Sequence, residues 1–389
     1  MMNDLTVKVY QIFNNGIKSV RGNAVHIRYK LSSDNLLTKI FCSNKLCFDN
    51  LKKLSSVFNK LFSNFAICGN KKIIEVFIAK ESFYPQVELL FHHPRWSINN
   101  DVREFNKATF NTSYAKSTPD NKFYIIKCYN YFYYLYNTET NRCLIVIKNE
   151  KRALSMVNIL LLTPYLACGD LYAIHGGIVS NGENNILITS SSLGGKTTFS
   201  LLFLENSWQI ITEETTYITK FGEILNYPVR NYFNIRIGTY LEFKDFFIKN
   251  GIINKNFLSR STINKKKLFD LRKDKQISID FEILCKNKSK LNVKRITHVL
   301  KVYFKKDNKR SMVIKKINLL GIINKFLEIS KAPTVVLFRN LMSLNDLKID
   351  ETKKKLKQIF KKVKGYSVIS TLDYRKNFNY LLDKIRIKV

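Results

Sequence analysis

The chain has 389 residues, of which 45% are hydrophobic and 13% aromatic, and a formal charge of +35 from 65 Lys and Arg against 30 Asp and Glu. That apolar share excludes wholesale disorder, and the length predicts a sizeable core divided between two domains. The longest apolar run, Ala153 to Cys168, is broken by Ser155, Asn158, Thr163 and Pro164, so it is expected as a buried helix, short of the roughly 20 residues of a membrane span.

In chain order, residues 1–150 show short alternating runs rather than long helical periods, which predicts a β-rich N-terminal domain with a possible part in substrate recognition. Val25 to Lys30, Val76 to Ala79 and Val87 to Phe91 are candidate strands, and Phe123 to Tyr136 with Cys143 to Ile147 reads as a hairpin about Asn137 to Arg142. The tyrosines there are expected on one face of a sheet rather than as a base-stacking surface. No catalytic constellation is visible in this half.

From Lys151 the period becomes helical through Leu166, and residues 151–389 are expected as a second, α/β domain with a basic C-terminal extension. Leu171 to Ser180 reads as a strand containing the pair Gly176-Gly177, and Asn181-Gly182 as a hairpin turn. Next come a strand from Asn185 to Thr189, a helix from Lys196, a buried strand from Gln209 to Thr212 and a further strand from Thr215 to Thr219. Beyond Lys220 to Glu223, a turn, Thr297 to Phe304 is read as a strand and Lys316 to Ser330 as a helix. A helix from Asp350 to Lys364 closed by Gly365, a strand from Tyr366 to Ser370 and a helix from Tyr374 to Ile385 end the chain.

The N-terminus lacks the basic and then apolar pattern of a secretory signal, so a cytoplasmic location is expected. The seven cysteines are scattered without a C-x-x-C pair and are expected as thiols. Lysine is spread through a chain that is also rich in Asn, Ile, Phe and Tyr, the residues of A/T-rich codons. The short basic runs Lys265 to Lys267, Lys305-Lys306, Lys353 to Lys355 and Lys361-Lys362 are read as solvated faces, with a docking surface for an anionic partner as the alternative.

The most informative stretch runs from Asn185 to Leu204: a short apolar strand, a turn of Ser190, Ser191, Ser192, Leu193, Gly194 and Gly195, and a helix opening on Lys196, Thr197 and Thr198. A strand running straight into a helix leaves the first helical N–H groups unpaired and aimed at the turn, where the helix dipole also favours an anion. Glycines let backbone approach phosphate oxygens, a lysine adds a mobile cation, and a Ser or Thr hydroxyl can bind magnesium. The pattern G-x-x-x-x-G-K-[ST] is met except at its first position, Ser190. His175 lies 21 positions before Lys196, and Glu213-Glu214 lie 17 and 18 after it. Ligands of open α/β sheets bind outside the carboxyl ends of strands, where these residues are expected to converge. A carboxylate there can hold magnesium or take a proton from an attacking hydroxyl, and a nearby imidazole can tune it.

His175-Gly-Gly-Ile-Val, a hairpin turn, a strand, Gly194-Gly-Lys-Thr-Thr198, a helix, and a strand ending in two acids resemble the catalytic domain of the HPr kinase/phosphorylase family. The order of a β-rich front half, a helix of the Met156-Val-Asn-Ile-Leu-Leu-Leu type and the His strand is similar to HPr-kinase-like proteins associated with peptide modification. The resemblance covers residues 125–240 well and the rest in outline. It implies an α/β P-loop, phosphoenolpyruvate-carboxykinase-like catalytic domain behind a β-rich N-terminal domain, with ATP and Mg2+ as cofactors and a serine hydroxyl as acceptor. Glutamates stand where the family has aspartates, Ser190 and Leu193 where it has glycines, and the family's Glu-x-Arg-Gly signature survives at most as Asn234-Ile-Arg236-Ile-Gly238.

The expectation is therefore an ATP- and Mg2+-dependent kinase acting on a peptide, protein or small-molecule hydroxyl. Backbone N–H groups from Ser191 to Lys196 would hold the β-phosphate, Lys196 would bridge β and γ oxygens, and Thr197 and Glu214 would hold magnesium. Glu213 would accept the proton, with His175 beside it, and Arg230 or Arg236 would touch phosphate or substrate. The alternatives are a nucleotide-binding regulator without phosphoryl transfer, and a nucleic-acid-binding protein supported by charge alone. Homo-oligomerisation is left open.

Overall fold

In the computed structural model, the residues described are 4–20, 24–30, 35–42, 71–79, 81–92, 113–120, 122–128, 132–148, 171–190, 194–225, 232–252, 276–280, 284, 295–304, 312–319, 346–370 and 374–387. The expected helix over 151–166, loop residues Ser191 to Leu193, Arg230 and most of the expected helix from Lys316 to Ser330 lie outside them. The architecture is mixed α/β with several mixed sheets. The chain divides into two units: Met1–Ala173 with Ile218–Phe221 and Lys331–Lys355, and Ile174–Tyr217 with Gly222–Ser330 and Leu356–Val389.

The first unit holds a seven-stranded sheet in the order β1 (Ala24–Lys30), β2 (Asn35–Cys42), β3 (Lys71–Ala79), β7 (Arg142–Ile147), β6 (Phe132–Asn137), β5 (Phe123–Cys128) and β4 (Ser113–Ser117). β2 and β7 both run parallel to β3, and the other pairs are antiparallel. Two helices, α1 (Asp4–Ser19) and α2 (Tyr84–Phe91), supply the apolar cover for one face. On α1, Leu5, Val9 and Phe13 recur every four residues and are at most 1% exposed, so one stripe faces the core. That helical period stands in a half read from the sequence as short alternating runs rather than long helical periods.

Val87 to Phe91, expected as a strand, is helical, a correction with a clear cause. Pro85 stands at the start of α2, where a missing N–H costs nothing. Tyr84, Val87, Leu90 and Phe91 then fall on one helical face, whereas strand alternation would group Leu89 with Val87 and Phe91, and Leu89 is 77% exposed. The expected strand from Phe123 to Tyr136 is two, β5 and β6, paired antiparallel. Its tyrosines do not share one face either: Tyr133 joins the core under the helices, while Tyr134 and Tyr136 alternate away from it. All three are at most 1% exposed, so they are packing residues and present no stacking surface. Cys42 and Cys143 are buried thiols, and the Tyr134 hydroxyl donates to Cys143 Sγ at 2.8 Å.

In the second unit a six-stranded sheet runs in the order β11 (Gln209–Thr212), β9 (Gly177–Ser180), β10 (Asn185–Thr189), β16 (His298–Phe304), β18 (Lys364–Ser370) and β17 (Val313–Lys316). The stretch read as one strand from Leu171 to Ser180 breaks at Gly176 into β8 (Leu171–His175) and β9. β9 pairs antiparallel with β10 and with β11, while β16 is parallel to β10 and β18 parallel to β16. It follows that β10, β11, β16 and β18 all end on one edge of the sheet, at Thr189, Thr212, Phe304 and Ser370, and that β9 begins there.

Between β10 and β11 lies α3 (Lys196–Glu205). Thr198 to Phe203 are all buried. Phe203 packs edge-on to Trp208 and to Phe378 of the C-terminal helix Phe378–Lys384, with ring centroids 4.9 and 5.0 Å apart. β12 (Thr215–Thr219), β13 (Ile224–Leu225), the β14 (Tyr232–Arg236) and β15 (Gln276–Asp280) pair, and α4 (Ile237–Glu242) are further elements. Near the C-terminus the helix is Asp346–Phe360, ending before the expected Lys364, and Gly365 sits inside β18 rather than closing the helix. The last helix begins at Phe378, with Tyr374 in the turn before it. Among the described residues no helix is long and apolar enough to cross a membrane.

Candidate functional site

Of the residues singled out in the sequence, His175, Ser190, Gly194 to Thr198 and the Glu213-Glu214 pair, all described, gather at the edge where β10, β11 and β16 end. Thr189, the last residue of β10, donates its hydroxyl to the carbonyl of His175 at 3.0 Å, tying the strand before the loop to the end of β8. The Gly176 N–H donates to the Glu214 carbonyl at 3.0 Å, so the two-residue corner Glu213-Glu214 is fastened beside the histidine. Three side chains reinforce that junction. Thr216 donates to the Gly176 carbonyl at 2.9 Å, Thr212 and Thr216 hydroxyls lie 2.8 Å apart, and Thr212 accepts the Ile178 N–H at 3.1 Å. Since the Thr216 proton goes to Gly176, Thr212 is the donor between the two hydroxyls.

Two local features aim the acids. The β9–β11 register shifts between Ile210 and Thr212, a bulge just before Glu213 that re-aims the strand end. Gly177 lets β9 approach, because a Cβ there would lie 3.0 Å from the Thr212 carbonyl and 3.5 Å from Glu213 Cα. Glu213 and Glu214 are half-buried.

On the other side of the site, Gly195 caps α3 with φ 103° and ψ 6°, a left-handed conformation. A Cβ there would also collide with the Phe304 ring at the end of β16. Gly195→Ala is therefore expected to cost at least about 1 kcal/mol from backbone strain alone, read as a lowered urea midpoint, and Phe304→Ala in the same chain should recover part of it. Lys196 and Thr197 follow in the first turn, both half-buried, with Gly194 buried. Thr198 points inward, its hydroxyl 3.5 Å from that of Thr239 in α4. Arg236 caps the N-terminus of α4. Ser190 is 9% exposed.

Lys196 and His175 interact electrostatically. Burial first, and the Lys196 ammonium second, hold the imidazole down at about 3, so the ring is uncharged at neutral pH. Its Nδ1 is buried without a hydrogen-bond partner among the described residues. Such an atom is costly to leave unpaired and marks a place where a ligand or water can bind.

A second imidazole is more deeply buried. His298, 3% exposed, starts β16 at the opposite edge of the sheet, and burial with the Lys364 charge lowers it to about 4. Both folded values lie below the ordinary 6.5, so the unfolded chain binds more protons between those limits. Stability should be complete above pH 6.5 and fall on acidification towards pH 4. For His298 alone the loss between pH 8 and pH 5 should be about 2 kcal/mol, measured by urea unfolding. His298→Gln should remove that part of the pH dependence, and an unchanged slope would mean the imidazole titrates normally.

Sequence reasoning missed Thr189, Thr212, Thr216 and Phe304. The signal for two of them was present as Thr212-Glu-Glu-Thr-Thr216, threonines flanking the acid pair. Phe304 had none, because it reaches Gly195 only through the parallel pairing of β16 with β10. Among the described residues no three His, Cys, Asp or Glu side chains form a metal cage. Compared with protein-family models and with curated proteins, the chain gives no match.

Proposed function

We propose that the chain is an ATP- and Mg2+-dependent phosphotransferase of the HPr-kinase-like, P-loop type, acting on a serine or similar hydroxyl of a peptide, protein or small metabolite. The observation that carries the reading is the joining of three separated segments at one sheet edge: the Gly195-Lys196 helix start, His175, and the Glu213-Glu214 corner. A helix N-terminus with a lysine suits phosphate, and carboxylates opposite suit a proton or a cation.

In this reading Lys196 spans the β and γ phosphate oxygens and meets the charge that grows on the bridging oxygen as its bond to the γ-phosphorus breaks. Glu213 takes the proton of the acceptor hydroxyl as that oxygen bonds to phosphorus. Thr197 and Glu214 would hold the magnesium ion, which when bound neutralises phosphate charge. Magnesium characteristically takes one or two carboxylates plus phosphate oxygens and water. One carboxylate and one hydroxyl, with no cluster of three His, Cys, Asp or Glu side chains among the described residues, therefore fit a metal that arrives with its nucleotide. His175, uncharged and with an orphaned Nδ1, acts on Glu213 or a phosphate oxygen through hydrogen bonding rather than through charge.

The test is calorimetric titration of the full chain with a non-hydrolysable ATP analogue, with and without magnesium. Saturable binding that depends on magnesium is expected, and absence of binding in both conditions would remove the reading. A nucleotide-binding switch without transfer is the rival, favoured by Ser190 and Leu193 in place of loop glycines. Sustained ADP release in the presence of an acceptor separates the two.

A further inference from the structure

Among the described residues β17 is the last strand of the six-stranded sheet and is paired on one side, antiparallel to β18. The Ile317 N–H donates to the Gly365 carbonyl at 2.9 Å and continues the same register, which fixes the phase of the ladder. Backbone groups alternate in direction along an antiparallel strand, so Val313 and Lys315 face β18 while the N–H and C=O groups of Ile314 and Lys316 face outward. Val313, Lys315 and Lys316 are exposed. An edge with outward backbone groups is a template for another strand.

Charge decides which strand. Lys315 and Lys316 project to opposite faces, so both sides of the edge are basic. Lys315 is in register through Ser367 with Lys301 of β16, Lys364 lies on the Lys316 side, and Lys361 and Lys362 occupy the turn before β18. Among the described residues none of these six ammonium groups is ion-paired. A second copy of the chain would bring lysine against lysine, which is destabilising in a cross-strand pair. An acidic strand instead gains ladder hydrogen bonds and opposite charges at alternate positions on both faces.

We propose that the outer edge of β17 is a docking site for an extended, Asp/Glu-rich segment of a partner protein, bound as an added seventh strand. The edge is three strands from β10, so the site stands independently of the phosphate-loop reading.

The probe is a fluorescein-labelled peptide, Glu-Glu-Val-Thr-Glu-Glu-Val, which carries acids on both faces of a strand, titrated with the full chain and followed by anisotropy. Three companions are titrated alongside: the same peptide with every backbone amide N-methylated, the same peptide with Lys for Glu, and a single-stranded oligonucleotide of equal charge. Salt-sensitive binding of the acidic peptide is expected, weakened at least about tenfold by N-methylation and by the double substitution Lys315→Glu with Lys316→Glu. Both lysines are exposed, so the variant should melt with the parent. Equal binding of the N-methylated peptide would show that charge alone holds it and would overturn the added strand. Tighter binding of the oligonucleotide, lost in the same variant, would overturn an acidic protein as the partner, as would no peptide binding at all.

Discussion

If the chain is the proposed phosphotransferase, Lys196→Ala is expected to lower affinity for magnesium-ATP by about 100-fold, since two charge-assisted hydrogen bonds of about 1.5 kcal/mol each to phosphate oxygens would be lost. The fold should not suffer. Lys196 opens α3, where a cation opposes the positive end of the helix dipole, so alanine there is neutral or stabilising by a few tenths of a kcal/mol. The substitution carries a second readout, independent of nucleotide. Part of the lowering at His175 comes from the Lys196 charge, so the imidazole should titrate higher in the variant. NMR of the ring carbons against pH measures this. Unchanged nucleotide affinity would remove the phosphate-loop reading, and an unchanged His175 titration would remove the coupling between loop and histidine.

The two acids should respond differently. Glu213→Gln preserves shape and should preserve magnesium-ATP binding while slowing transfer by about 10²–10⁴-fold, the loss typical of a general base. Glu214→Gln should weaken nucleotide binding only in the presence of magnesium, since an anionic oxygen ligand is lost. The measurements are affinity with and without magnesium, and single-turnover transfer from γ-labelled ATP. The Glu214 backbone carbonyl, which accepts from Gly176, is untouched by either change, so the corner should keep its position. If the two variants exchange phenotypes, the longer glutamate side chains have exchanged roles. If neither has an effect, the corner serves only to join β11 to β12.

Most of the candidate site could be read along the chain because its parts are local. The hairpin about Asn181-Gly182, the strand–loop–helix unit through Lys196 and the Thr-Glu-Glu-Thr-Thr corner are each continuous segments whose geometry follows from turn chemistry and apolar runs. Helices were harder to read where a short apolar run suits either period. Val87 to Phe91 fits both alternation and a helical stripe, and only Pro85 with the exposed Leu89 separates them. The α1 stripe of Leu5, Val9 and Phe13 was available but sits among polar residues that dilute it.

The sequence by itself determined the apolar runs, the glycines at Gly176, Gly177 and Gly195, and the intervals between His175, Lys196 and the acid pair, because these depend on neighbours in the chain. Tertiary structure alone decided that β16, more than 100 residues beyond β10, pairs parallel with it and sets Phe304 against Gly195. It also decided that, among the described residues, β17 ends the sheet with a basic outer edge. Parallel pairing is not specified by any local turn; it is chosen when distant apolar strands compete for the same buried face, and that competition leaves no periodicity to read.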